Sequence, residues 1–331
     1  MKINPNILRK KVIDMVYDKK SGHIGGAFSM AELTSVLYED YDIGGKDKLI
    51  LSKGHAVPIL YAALYELGHL YFRRGKNNTA SKYYLKAISI KEQSIYYSAL
   101  ANLYENTGQV EDCITAYQKS YQLDNDNYEA VFRLAVLTLN RGELKRAAQY
   151  LKIALKLKSN KGEVYKYFGV LLRKQKQFDK SKEAFLKAKL LNKYVREIYY
   201  QLGLIDLELN NISGAIENFE RELKDSPSHL LTVTKLASLY LDNKQDEKAT
   251  ILIRRALKTH KNDGELHRLL GQFHLSKAEF EKENNGLYIA LEDYDEAIKS
   301  FKQSIRLNPK RTDVLELLVK AYSGAKRFAV A

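Results

Sequence analysis

LANLYENTGQVEDCITAYQKS, residues 100–120, carries a small residue at Ala101, a second at Cys113 twelve positions later, and an aromatic at Tyr117 four after that. Working outward, the same triplet recurs along the chain. The first small residue stands at Gly68, Ala101, Ala135, Gly169, Gly203, Ala237 and Gly271, with spacings of 33, 34, 34, 34, 34 and 34. The second stands at Ala80, Cys113, Ala147, Ser181, Ala215 and Ala249. The large apolar member stands at Tyr84, Tyr117, Leu151, Phe185, Phe219 and Ile253. A period of this length marks a stacked array of supersecondary units.

The register predicts two helices per repeat. Small side chains let the pair approach closely, and the large residues fill the space between successive pairs. Glycine inside a helix costs about 1 kcal/mol relative to alanine, so its return at one register implies that packing requires a missing side chain there. Polar turns such as Asn106-Thr107-Gly108 and Asn140-Arg141-Gly142 separate the two helices. Pro227 and Pro309 fall where the second helix should end, since a helix interior rejects proline.

The seventh repeat departs from the pattern. Gly271 is followed by Ala297 after 26 residues instead of 12, and the extra 14 include AEFEKENNGLYIALED, 278–293. Asn284-Asn285-Gly286 supplies a turn with strong helix formers on both sides. Two extra turns per helix would project from one edge of the array. Tyr288, Ile289 and Leu291 then either form an exposed contact patch or pack against the lengthened partner helix. A last helix is expected over 312–326, capped by Thr312-Asp313 and covering the final repeat through Leu315, Leu318, Val319 and Tyr322.

The array, about 61–326, resembles the tetratricopeptide repeat family, most closely at 100–120 and at YDEAIKSFKQSIRLNP, 294–309. The 34-residue spacing argues against the pentatricopeptide RNA-binding repeat. The resemblance implies an all-α, right-handed α-solenoid of about seven helix pairs plus a C-terminal capping helix, preceded by a small mixed α/β-like segment. Repeats are expected near 61–93, 94–127, 128–161, 162–195, 196–229, 230–263 and 264–311. It also implies a non-enzymatic scaffold whose concave face, lined by the first helix of each pair, binds a peptide or protein. The residues at the lining positions are Tyr65, His69, Phe72, Asn102, Phe132, Val136, Lys166, Val170, Arg173, Tyr200 and Leu204. Lys166 and Arg173 suit an acidic partner. Chaperone-binding members carry a Lys/Asn/Asn/Lys/Arg clamp for a C-terminal carboxylate. The matching positions here hold Ser98, Asn102, Arg133, Glu163 and Tyr167, of which only Asn102 agrees, so the resemblance does not extend to chaperone tails.

Residues 1–60 follow another order: an amphipathic helix over 6–18, a loop Ser21-Gly22-His23-Ile24-Gly25-Gly26, a helix opened by a capping box at Ser29-Met30-Ala31-Glu32, and a short strand at Lys48-Leu49-Ile50-Leu51. SGHIGGAFSMAELTSVLY and LILSKGHAVPILYAALYELG resemble the beginning of transketolase. That resemblance implies that His23 lies by substrate and cofactor and that His55 contacts the diphosphate of thiamine diphosphate. The family's Mg²⁺ site needs a Gly-Asp-Gly motif with a later Asn. The nearest string, Asn262-Asp263-Gly264-Glu265-Leu266, falls in register between two repeats. No second domain that would complete such an enzyme is expected within these 331 residues. The expectation is therefore no bound cofactor, with thiamine diphosphate and Mg²⁺ as the alternative.

Composition bounds the remaining classes. With 45% hydrophobic and 28% charged residues, 4 Pro and 18 Gly in 331, the chain reads as ordered and helical. The net charge of +14 is spread along helices among acidic residues, an electrostatic bias rather than a nucleic-acid motif. The single Cys113 fits a reducing, cytoplasmic setting. No run of about 18 apolar residues suggests a membrane span. His69, His229, His260, His267 and His274 form no His-x-x-x-His pair, so no metal site is expected.

Overall fold

The computed structural model describes residue 6 and residues 57–326. Apart from Asn6, the expected elements of 1–56, with His23 and His55, lie outside the described residues. Two compact units divide at 175/176. The first holds α1 (Val57–Arg73), α2 (Asn77–Ile90), α3 (Ser94–Thr107), α4 (Val110–Leu123), α5 (Tyr128–Asn140), α6 (Leu144–Leu157) and α7 (Gly162–Lys174). The second holds α8 (Phe178–Leu191), α9 (Ile198–Glu208), α10 (Ile212–Asp225), α11 (Leu230–Asp242), α12 (Asp246–Thr259), α13 (Gly264–Asn285), α14 (Leu287–Leu307) and α15 (Thr312–Gly324). The described residues contain helices and no strand.

Within each unit, helices pair as α1/α2, α3/α4 and α5/α6, and as α9/α10, α11/α12 and α13/α14, each pair stacking on the next. The periodic residues make the contacts. Ala80, Tyr84, Ala147, Leu151, Ala215, Phe219, Ala249 and Ile253 are fully buried. The glycines are where an aromatic ring presses on the opposite helix. A Cβ on Gly68 would lie 2.4 Å from Tyr84, on Gly203 2.5 Å from Phe219, and on Gly271 2.6 Å from Phe301. The expected helix pairing rests on these close approaches.

The turns inside the pairs share a left-handed residue. It is Gly75, Gly108 and Gly142, then Asn210 and Lys244, and Lys176 takes the same conformation between α7 and α8. At Gly108 the turn closes with the Gln109 amide donating to the Tyr104 carbonyl at 2.9 Å, and Gln245 does the same to Tyr240 at 2.8 Å. Lysine tolerates a φ of 56° poorly, whereas glycine adopts it without a Cβ clash. Lys244→Gly is therefore expected to stabilise the chain by about 1 kcal/mol. A urea midpoint that falls would contradict this.

The seventh pair is lengthened as expected, with α13 spanning 22 residues and α14 spanning 21. Asn284 and Asn285 remain helical, and Gly286 alone turns the chain at φ 92°. Both readings of the insertion hold in part. Tyr288 and Ile289 are exposed, at 89% and 55%, while Leu291 packs against the core with Leu287. The last helix differs from expectation. Its N-cap is Arg311, so Thr312 and Asp313 form the first turn, where Asp313 receives the Arg311 guanidinium. The same guanidinium pairs with Glu265 at the start of α13, which fixes the point of entry. Val314, Ala321 and Tyr322 face inward, with Leu318 beside them, whereas Leu315 and Val319 are exposed. Pro227 and Pro309 lie just past α10 and α14.

Buried acids tie helices together in the second unit. Asp206 on α9 takes Lys182 at 3.0 Å and Asn218 at 2.7 Å. Glu222 on α10 accepts the backbone amides of Glu197 and Tyr200 at 3.1 and 3.2 Å, at the start of α9. Asp293 on α14 takes His274 and Lys277 at 2.9 and 2.8 Å. Burial pushes the Asp293 carboxyl up, but the hydrogen bonds and charges of Lys277 and His274 outweigh it and hold the group below its ordinary range.

Candidate partner-binding face

The first helices of the pairs in the first unit, α1, α3, α5 and α7, carry nine of the eleven expected lining residues. On α1, Tyr65 is withdrawn into the core at 5% exposure, with ring centroids 5.1 Å from Tyr96 and 6.0 Å from Tyr84. Three tyrosines meet there, and the space a groove would need is filled. Burial pushes the Tyr65 phenol up, with Glu66 adding to the shift. His69 is half-buried against Tyr65 at 4.5 Å, edge to face, and Phe72 is half-buried beside that core. Asn102 on α3 is exposed and accepts from Asn106 at 3.1 Å. Phe132 and Val136 on α5, and Lys166, Val170 and Arg173 on α7, are half-buried. Tyr200 and Leu204 belong to α9 in the second unit, packed against its core.

An aromatic cluster forms where α5 meets α7. Tyr128 stacks on Phe132 at 5.7 Å with the planes 4° apart, and Phe132 meets Tyr167 edge to face at 5.5 Å. Lys158 stands 4.8 Å over the Tyr128 ring and Lys166 5.3 Å over Tyr167. Each cation sits on a negative ring face, an arrangement worth about 0.5–1 kcal/mol at an accessible site. Tyr128 and Lys158 were missed in the sequence because they stand outside the lining positions. The signal was available in the four-residue spacing of Tyr128 and Phe132, which places both on one helix face.

The positions matching a carboxylate clamp are engaged within the chain. Ser98 shares a network with Ser94, Ser120 and Asn127, with Ser98 to Ser120 at 2.7 Å and Asn127 donating to Ser98 at 3.1 Å. Arg133 pairs with Glu129 at 2.7 Å and Glu105 at 3.3 Å. Cys113 is fully buried, and burial pushes its thiol up to about 12, with Glu105 adding and Arg133 opposing. A thiol so shifted supplies negligible thiolate at neutral pH.

Among the described residues no three His, Cys, Asp or Glu side chains group as metal ligands. The Asn262-Asp263-Gly264 string serves the repeat. Asp263 caps α13, its Oδ1 accepting the Leu266 amide at 2.8 Å, and Glu265 pairs with Arg268 at 2.6 Å. His274 lies on Asp293, His229 lies on Thr232 at 2.6 Å, and His267 meets the Lys261 carbonyl at 2.9 Å.

These features agree with what the chain is similar to. A family model described as tetratricopeptide repeat matches residues 61–94 and 286–311, and a second of that description matches 98–161. A model described as the transketolase thiamine diphosphate binding domain matches 2–72. The human Protein O-mannosyl-transferase TMTC1 is 26% identical over 171 residues, covering 50% of this chain and 19% of that protein. The 6-deoxy-6-sulfo-D-fructose transketolase subunit SqwG of Clostridium sp. (strain MSTE9) is 37% identical over 67 residues, covering 18% of this chain and 24% of that subunit. A tetratricopeptide repeat protein from Parabacteroides merdae superposes with a TM-score of 0.61 at 15% identity, over 79% of this chain and 98% of that one. The chain is a tetratricopeptide repeat protein whose N-terminal stretch resembles the thiamine diphosphate binding domain of transketolase. The two matches overlap on α1. That helix gives Tyr61, Ala62, Leu64, Tyr65 and Leu67 to the core of the first pair.

Proposed function

We propose that the chain is a non-catalytic scaffold that holds an acidic segment of a partner protein against the first-helix face of its first unit. The aromatic cluster of Tyr128, Phe132 and Tyr167, with Lys158 and Lys166 over its rings, carries the reading. Ring faces take apolar side chains, and the cations suit carboxylates between them. Arg173 lies two turns along α7 from Lys166 and extends the basic character. The net charge of +14 favours encounter with acidic partners. Titrating the full chain with acidic peptides bearing aromatic residues, against neutral peptides of the same length, tests it. Equal affinity for the two sets would count against the site.

A second reading rests on the match over 2–72: thiamine diphosphate bound through His23 and His55. The described residues bring no ligand cluster for the accompanying Mg²⁺, and α1 is committed to the repeat core. Calorimetry with thiamine diphosphate and Mg²⁺ separates the readings, since saturable heat would favour the second. The human relative named an O-mannosyl-transferase is matched over 19% of its length, and no activity is carried over from it. We propose a cytoplasmic setting, with which a single, buried, unpaired cysteine is compatible. No helix among the described residues is long and apolar enough to cross a membrane.

A further inference from the structure

Two exposed apolar patches of opposite charge lie on the second unit. The first runs along α8. In every second helix the residues one and five places after the large buried residue lie on one outward register. They are Gln118 and Gln122, Lys152 and Lys156, Glu220 and Lys224, Arg254 and Lys258, and Lys302 and Arg306, while α2 carries Leu85 and Ser89. On α8 both are leucines: Leu186 is 59% exposed and Leu190 86%. Tyr194 continues the stripe at 77%. The surrounding residues 180–196 carry Lys180, Lys182, Lys187, Lys189, Lys193 and Arg196 against Glu183 alone, and of these Lys182 is paired with Asp206 and Lys189 with Asp225. Lys193 lies 5.0 Å over the Tyr194 ring, and Arg196 is exposed.

The second patch is the tip of the lengthened hairpin α13/α14. Phe280, Tyr288 and Ile289 are exposed there within two turns of Gly286. The carboxylates of Glu281, Glu283 and Glu292 stand on the same segment. Its two lysines are engaged within the chain, Lys277 with Asp293 at 2.8 Å and Lys282 with the Gly324 carbonyl at 3.2 Å. The tip therefore presents apolar side chains in an acidic setting, the complement of the α8 face.

We propose that the hairpin tip of one copy docks on the α8 face of a second copy. Opposite charge sets the choice of partner, and burial of the leucine stripe against the aromatic tip supplies the attraction. The contact joins two different surfaces, so it is head-to-tail and leaves one of each exposed at the ends. Assembly then grows with protein concentration and weakens with salt, which screens the charged part. Three apolar side chains a side place it at the small, weak end of specific interfaces. An acidic membrane is the less favoured occupant of α8, because two leucines and a tyrosine bury less than the one acyl chain that gives only marginal anchoring.

Sedimentation velocity of the full chain over about 5–500 μM, a range suited to weak association, tests the proposal. Two charge-reversed variants are compared with it: Lys193→Glu with Arg196→Glu on the face, and Glu283→Lys with Glu292→Lys on the tip. All four sites are exposed, and thermal melts check that each variant folds. Each variant alone should need at least about tenfold more protein to associate, because like charges now face one another. An equimolar mixture should recover the wild-type dependence, because each junction in it again pairs opposite charges. A wild-type chain that stays monomeric throughout overturns the proposal. So does a mixture of folded variants that fails to recover, or a wild-type monomer that instead binds anionic vesicles through α8.

Discussion

Gly203→Ala is expected to destabilise the second unit by about 1–3 kcal/mol, the usual cost of forcing extra volume into a packed core. The new Cβ would lie 2.5 Å from Cε1 and 2.7 Å from Cδ1 of Phe219, whose side chain is fully buried. The ring has little room to retreat, because it is fully buried in a core shared with Ala215, Val233 and Leu236. Two other pairs show how the register accommodates an alanine: Ala135 stands with Leu151 and Ala237 with Ile253. Phe219→Leu should therefore relieve the alanine, and the double variant should be more stable than the two single costs predict, by about 1 kcal/mol or more. Ala101 stands with Tyr117, so the pairing is not universal, and the prediction rests on the clearance at Gly203. Urea unfolding followed by helix signal reads it. Strict additivity of the two changes would sink the account of the glycine register.

Glu222→Ala is expected to cost about 2–4 kcal/mol, from unsatisfied buried amides and a new cavity. Glu222 is 2% exposed, and its carboxylate lies at the start of α9, where the amides of Glu197 and Tyr200 have no intrahelical acceptor. Its charge also sits at the positive end of that helix. Glu222→Gln keeps one acceptor oxygen and loses the charge, so its cost should fall between wild type and alanine. Hydrogen exchange at residues 197–201 should rise in the same order. Equal stability of the alanine and glutamine variants would mean that the carboxylate is not the cap of α9.

The fold was legible because each repeat solves the same packing problem with the same register. Gly68, Gly203 and Gly271 announce a close approach, and the rings that require it follow at fixed distance. The turns were less legible. Lys176 and Lys244 occupy a backbone conformation that glycine holds in the first three turns, and their side chains give no sign of it. Glu222, Asp206 and Asp293 were invisible for a related reason. Charged residues in an amphipathic pattern are assigned to the solvent face, and only tertiary contacts show that these three point inward. On the proposed face, Phe132 and Lys166 join the aromatic cluster, whereas Tyr65, read from the same register, is held in the core by neighbouring tyrosines. Arg311 escaped as the start of α15 because its role comes from Glu265, 46 residues earlier.

The central claim is that the first-helix face of the first unit binds an acidic partner segment. The direct measurement is fluorescence anisotropy of acidic, aromatic-bearing peptides titrated with the wild-type chain and with the Lys166→Glu, Arg173→Glu variant, after melts show both to be folded. The account predicts saturable binding to wild type and at least about a tenfold loss in the variant, with wild-type binding weakening as salt rises. Unchanged affinity in the variant, or binding that ignores peptide charge, would contradict it.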